Sequence, residues 1–244
     1  MIFPLNETRP RQPYAITEYF VDKRRYHNLL LCHWLVGVYL SFFVLITTIT
    51  LHIVYIEHIC GMLSVASYRI QHSIDHYVSH NPPKKEDVIF QNINVAVDLH
   101  RKALMCSLFL STAFASDFFF TIVLSVLSFS LNLLRLIKVI LLLKNISELL
   151  MSIILVSAHF VIIFLEHYYG QKITNHNDKI FYNAYNTEWY TVPVRIQKLF
   201  LFIMKNTTKA YVLNIGNFIM ASLEGFTKLM SLSISYFTVM YSLQ

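Results

Sequence analysis

Between Arg25 and Glu57 the chain carries no charged residue, and the run LLLCHWLVGVYLSFFVLITTITLHIVY fills most of that interval. It exceeds the roughly 20 residues that a helix needs to cross a bilayer core about 30 Å thick. In lipid every backbone N–H and C=O must find its partner within the protein, so only helices and closed barrels can span it. The run lacks the alternation of apolar and polar residues that marks barrel strands, and it therefore reads as a helix. Three more apolar runs follow: Lys102 to Arg135, interrupted only by Asp117; LLMSIILVSAHFVIIFL from Leu149 to Leu165; and a stretch from near Tyr211 to the end that contains Glu224 and Lys228. The expected fold class is all-α, a polytopic transmembrane bundle with membrane helices over 28–56, 103–134, 149–165 and 211–244.

Composition agrees with that reading. The chain is 55% hydrophobic and 14% charged, with a mean hydropathy of +0.50, well on the apolar side of a water-soluble domain. Its net charge of +6 does not point to nucleic acid, because the 20 basic residues are spread between the apolar runs rather than gathered with aromatics on one patch. They fit loops that flank membrane helices. Cys32, Cys60 and Cys106 form no metal or redox spacing and sit in or beside apolar runs, as packing residues do. The segment after Met1 has no apolar stretch of the signal-peptide kind.

The connecting segments are 1–27, which is polar and proline-containing; 57–102, which includes the turn SHNPPKKED; 135–148; and 166–210, which contains NTEWYTVPVRIQKLFLFIMK. After Pro193 the positions Val194, Ile196, Leu199, Phe200 and Ile203 have the spacing of a helix that lies on a membrane surface or packs against a neighbouring subunit. His72, His76 and His80 recur every four residues with Asp75 nearby, but no HExxH surrounds them, and the reading is a solvated helix face with no metal. Asp117 sits early in its run, where a partly hydrated position suits a carboxylate. Glu224 and Lys228 are four apart, spaced either to pair on one helix or to face a water-filled vestibule. The sequence contains no nucleophile elbow, phosphate loop or dinucleotide fingerprint, and no enzyme activity or cofactor is expected.

Several motifs, in order, resemble the insect odorant receptors: PLNETRPR at 4–11, EYFVD at 18–22, EHICGMLSVASYRI at 57–70, GQ at 170–171, AYNTEWY at 184–190, RIQKLFLFIM at 195–204 and SLEGFTKLMSLSISYFTV at 222–239. The resemblance spans nearly the whole chain. It implies a subunit of an odorant-gated cation channel, a hetero-tetramer with a common co-receptor in the plasma membrane of olfactory sensory neurons, with volatile small molecules as ligands. Family members have seven membrane helices, and this chain would correspond to the last four. The implied orientation puts 1–27 and 135–148 outside, and 57–102 and 166–210 in the cytoplasm as a helical extension and an anchor. Lys and Arg number eleven in the inner segments and eight in the outer ones, a weak bias of the expected sign. The sequons at Asn6, Asn145 and Asn206 can report orientation, with Asn6 the expected glycosylated site.

Residue roles follow from the resemblance and from helical spacing together. His33, Trp34, Tyr39, Phe42 and Phe43 supply aromatic surface for an odorant pocket, Tyr39 and Phe43 on one helical face. Trp189 and Tyr190 are candidate assembly contacts, being large amphipathic residues of the kind enriched at interface hot spots, and the same character equally suits anchoring the loop at the lipid headgroups. At the chain's end Leu232, Tyr236, Val239 and Leu243 share one face, and Ser231, Ser235, Thr238 and Ser242 share the next. Spacing alone favours close helix packing. The resemblance makes this helix the pore lining, with Ser235, Tyr236, Thr238 and Ser242 along the path and Val239 and Leu243 as the gate. Two other readings stand beside this one: a non-conducting fragment that keeps only assembly contacts, and a polytopic membrane enzyme built on the histidine-rich segment.

Overall fold

The structure, a computed structural model, describes residues 25–74, 82–142, 146–208, 211, 214–215 and 219–243. Asn6, Asp75, His76, His80 and Asn145 lie outside the described residues. Six α-helices account for most of what is described: α1 His27–Gln71, α2 Pro82–Ala113, α3 Ala115–Leu141, α4 Ile146–Asn186, α5 Val194–Thr207 and α6 Leu223–Ser242. A 3₁₀ turn covers Trp189–Thr191, and a two-residue antiparallel pairing joins β1 Asn214–Ile215 to β2 Ile219–Met220 in the register Asn214 opposite Met220. Among the described residues the fold is all-helical apart from that pairing. Helices α1, α3 and α4 are long and apolar enough to cross a membrane.

Residues up to His52 and from Ile53 onward form two compact units. The first contains the apolar half of α1, where Tyr39, Leu40, Phe42, Phe43, Val44 and Ile46 are all exposed. Three of its hydroxyls are satisfied within the helix: Ser41 donates to the Gly37 carbonyl (2.8 Å), Thr47 to Phe43 (2.8 Å) and Thr48 to Val44 (2.9 Å). A helix that meets its own polar needs in this way can sit in lipid.

The second unit has two cores. The larger joins Ile59, Leu63, Ala66 and Ile70 of α1, Ile89, Ile93, Ala96 and Ala103 of α2, Ile173, Ile180 and Ala184 of α4, and Ile196, Phe200 and Ile203 of α5. These positions recur every three or four residues, so each helix presents one apolar stripe to the others. Each fully buried Ile, Leu or Phe contributes about 1.5–3 kcal/mol through removal from water. Polar links tie the same helices: Asn183 Nδ2 donates to Ser67 Oγ (2.8 Å), His100 Nε2 meets Asn177 Oδ1 (2.9 Å), and Lys172 pairs with Glu57. The smaller core contains only Val126 of α3, Ile163 of α4 and Leu229 of α6, flanked by Ile122, Phe226 and Met230.

The elements differ from the sequence expectation in four places. The run expected as one membrane helix over 103–134 is divided at Phe114, between α2 and α3. Just before the break Ser111 and Thr112 both donate to the Leu108 carbonyl (2.9 Å each), and Thr112 also reaches the Phe109 carbonyl (3.1 Å). Hydroxyl back-bonding of this kind competes with the helical ladder and bends it. Second, the expected connection at 166–210 is largely helical, because α4 continues to Asn186 as a wall of the larger core. Third, α1 ends before His72, whose Nδ1 instead contacts the Tyr68 carbonyl (3.0 Å). Fourth, the helix expected from 211 starts at Leu223, after the β1–β2 pairing.

Candidate functional site

Helix α6 begins at a defined cap. Ser222 is extended, its Oγ accepts from the Gly225 N–H (3.1 Å), and Glu224 stands in the first turn where the helix dipole favours a carboxylate. One side of the helix is then consumed by packing: Gly225, Leu229 and Ser233 are buried, with Phe226, Met230, Phe237 and Met240 half-buried between them. Against α3, the Ser130 hydroxyl lies 2.7 Å from its own Val126 carbonyl and 2.8 Å from the Ser233 carbonyl on α6. Serines at such a crossing let two backbones approach closely. Against α4, Phe226 meets Phe160, Phe164 and His167 edge to face, at centroid distances of 5.5, 5.6 and 6.1 Å.

The other side of α6 is bare. Leu232, Tyr236, Val239 and Leu243 are exposed, Leu243 at 81%, and so are Ser231, Ser235, Thr238 and Ser242. The hydroxyls bond back to their own helix: Ser235 to the Ser231 carbonyl (2.9 Å), Thr238 to Ser235 (2.8 Å) and Ser242 to Val239 (2.8 Å). Glu224 and Lys228 form an exposed pair at 2.7 Å. The structure thus places all six sequence-predicted pore and gate residues on the side of α6 that no other described element covers.

On α1, Trp34 and Phe42 line an open depression together with His33, Gly37, Val38 and Ser41. All of these belong to one helix face, so the depression is open rather than an enclosed chamber. Tyr39 and Phe43 do not line it, and each is well exposed. The assembly candidates separate in character. Trp189 packs on the larger core, whereas Tyr190 is 66% exposed, and Gln197 pins the turn that carries them by donating to the Tyr190 (3.1 Å) and Val192 (2.8 Å) carbonyls. Asp117 is exposed in the first turn of α3, and Asn206 is exposed near the end of α5. Cys60 is buried and Cys106 half-buried, but Cys32 is exposed. Among the described residues no three His, Cys, Asp or Glu side chains gather as a metal site.

Sequence reasoning assigned no role to His167, Gly170 and Gln171 of α4, although all three meet α6 or the residues that lead into it. The GQ pair was visible among the family-like motifs. Its partners, Ala221 and Leu223, lie some fifty residues away, and no local pattern links them.

Long apolar helices, hydroxyls that bond back to their own helix and bundle contacts made through serine and phenylalanine define a polytopic helical membrane protein. A family model for the 7tm odorant receptors matches residues 1–234. The chain belongs to that odorant receptor family, which is a family of receptors rather than enzymes.

Proposed function

We propose that the chain is a subunit of an odorant-gated cation channel, assembled with a shared co-receptor as a hetero-tetramer in the plasma membrane of an olfactory neuron, with α6 as its fourth membrane helix. The observation that carries this reading is the double stripe on α6: packing on α3 and α4 occupies one side, and the side left open carries the hydroxyls and the apolar pair Val239 and Leu243. Four such helices around an axis would line a path with hydroxyls and close it with two apolar rings, which exclude ions by dewetting. The test expresses the chain, with the upstream helices of a family member joined to its N-terminus, together with the co-receptor. Val239→Ser and Leu243→Ser should raise current in the absence of odorant, and Tyr241→Ser should not. Normal surface delivery with unchanged basal current and ion selectivity would overturn the assignment.

The α1 aromatics serve as the ligand surface in this reading. A cavity for volatile molecules is apolar with few polar groups, and Trp34, Tyr39, Phe42 and Phe43 supply such a wall, to be closed by other helices. Phe42→Ala should change odorant potency more than Phe43→Ala, since Phe42 lines the depression. Assembly contacts fall to the exposed Tyr190, because Trp189 is engaged within its own chain. Tyr190→Ala should lower co-receptor recovery in a pull-down while leaving the melting temperature unchanged. In the proposed orientation Asn6 carries sugar and Asn206 none, and a glycosidase-sensitive Asn206 with bare Asn6 would invert the topology.

A further inference from the structure

The first turn of α6 is held by α4 at one level. Gly170 presses against Ala221 so closely that a Cβ at 170 would overlap both the Cβ and the carbonyl of Ala221. One residue on, Gln171 Oε1 accepts a hydrogen bond from the Leu223 N–H (3.3 Å). That N–H is the first of the α6 donors without a partner inside the helix, while Ser222 Oγ serves the one at Gly225. The Gln171 amide is itself oriented, because its Nε2 donates to Asn175 Oδ1 (3.0 Å) on the next turn of α4. A Cβ at Gly225 would overlap the Met220 carbonyl and stand 3.3 Å from His167 Cδ2, so the opposite side of the same turn is equally tight. Beyond this level α6 leans on α3 as well, through Leu229 against Val126 and Ser233 against Ser130.

We propose that Gln171 is a positioning residue for the pore helix: it fixes the base of α6 to α4, and thereby sets where the Val239 and Leu243 rings stand. This rests on the reading of α6 as the pore helix. Val239 lies sixteen residues beyond Leu223, about 24 Å along the axis, so a tilt of roughly 5° at the base displaces the constriction by about 2 Å. That is comparable to the width a dewetted constriction must gain to admit water. Glycine at 170 allows the two segments to touch, and the Gln171 bond selects one angle among those the contact permits.

The experiment uses Val239→Cys in the full-length receptor with its co-receptor, and follows the rate at which a quaternary-ammonium methanethiosulfonate changes the current; receptor without the introduced thiol corrects for Cys32, Cys60 and Cys106. Gln171→Leu, which lacks the acceptor, should accelerate the reaction about fivefold, the ratio that the loss of one ordinary hydrogen bond gives. Gln171→Glu keeps an acceptor oxygen and should stay within about twofold of the parent. Equal rates for the Leu and Glu variants would overturn the proposal. If Gln171→Leu fails to reach the surface, Asn175→Ala takes its place: a smaller acceleration supports the proposal and an unchanged rate overturns it. Were Val239→Cys unreactive in every background, the pore reading itself would fail. The contact is then judged by hydrogen exchange in nanodiscs, where faster exchange of the Leu223 amide in Gln171→Leu than in Gln171→Glu upholds the joint and equal exchange refutes it.

Discussion

The two cores of the second unit are built by different rules, although α4 runs through both. In the larger, four helices bury a continuous set of Ile, Leu, Ala and Phe, with a few polar side chains such as Ser67, Thr174 and Asn177 among them. In the smaller, α3, α4 and α6 bury three aliphatic side chains, and the contact is completed by serine hydroxyls and rings meeting edge to face. The difference is the one that two solvents would produce. Water drives apolar side chains together, whereas lipid is as apolar as leucine, so helices meeting in a membrane gain from close approach and interhelical hydrogen bonds instead. The chain is thus anchored by hydrophobic burial at one end of α4 and held by geometry at the other.

Substitutions can sharpen or break that contrast. The largest effect should come from Phe200→Ala in the larger core, where the ring is fully buried: about 3–5 kcal/mol of stability, read as a large fall in the melting temperature of purified protein and loss from the cell surface. Leu229→Ala in the smaller core should cost about 2 kcal/mol, the low end for a buried leucine, because flanking Ile122, Phe226 and Met230 and lipid can close on the space. If it matches Phe200→Ala in the same melting assay, the distinction between the cores fails. Ser130→Ala removes the interhelical bond to Ser233 and should cost about 0.6 kcal/mol. The smallest effect belongs to Val239→Ser, which should leave melting unchanged because the residue is 55% exposed and touches no core.

Much of this fold could be read from the sequence, and the parts that could not have physical causes. The uncharged run before Glu57 and the run from Leu149 stand out because lipid demands long apolar segments. The break at Phe114 carries no Gly or Pro, and the hydroxyl back-bonding beside it at Ser111 and Thr112 also occurs within unbroken helix at Thr47 and Thr48, so no local pattern announces it. The second half of α4 was hidden because its buried positions, His167, Gly170, Ile173, Thr174, Asn177 and Ile180, mix polar with apolar side chains. Their spacing is helical, but a stripe of His, Gly, Thr and Asn gives no hydrophobic signal. At the candidate site the faces of α6 followed directly from a 3.6-residue period, whereas the Gln171–Leu223 bond joins distant segments and needed the structure.

The hydroxyls of α6 bear on how such a protein is made. Ser235, Thr238 and Ser242 each return their proton to a carbonyl of their own helix, so these three hydroxyls ask little of the surroundings of the open face. If α6 is the pore helix of the proposed channel, a helix of this kind could wait against acyl chains at little cost and exchange lipid for neighbouring subunits with those three bonds kept. Assembly of the proposed channel would then not need to be coupled to synthesis.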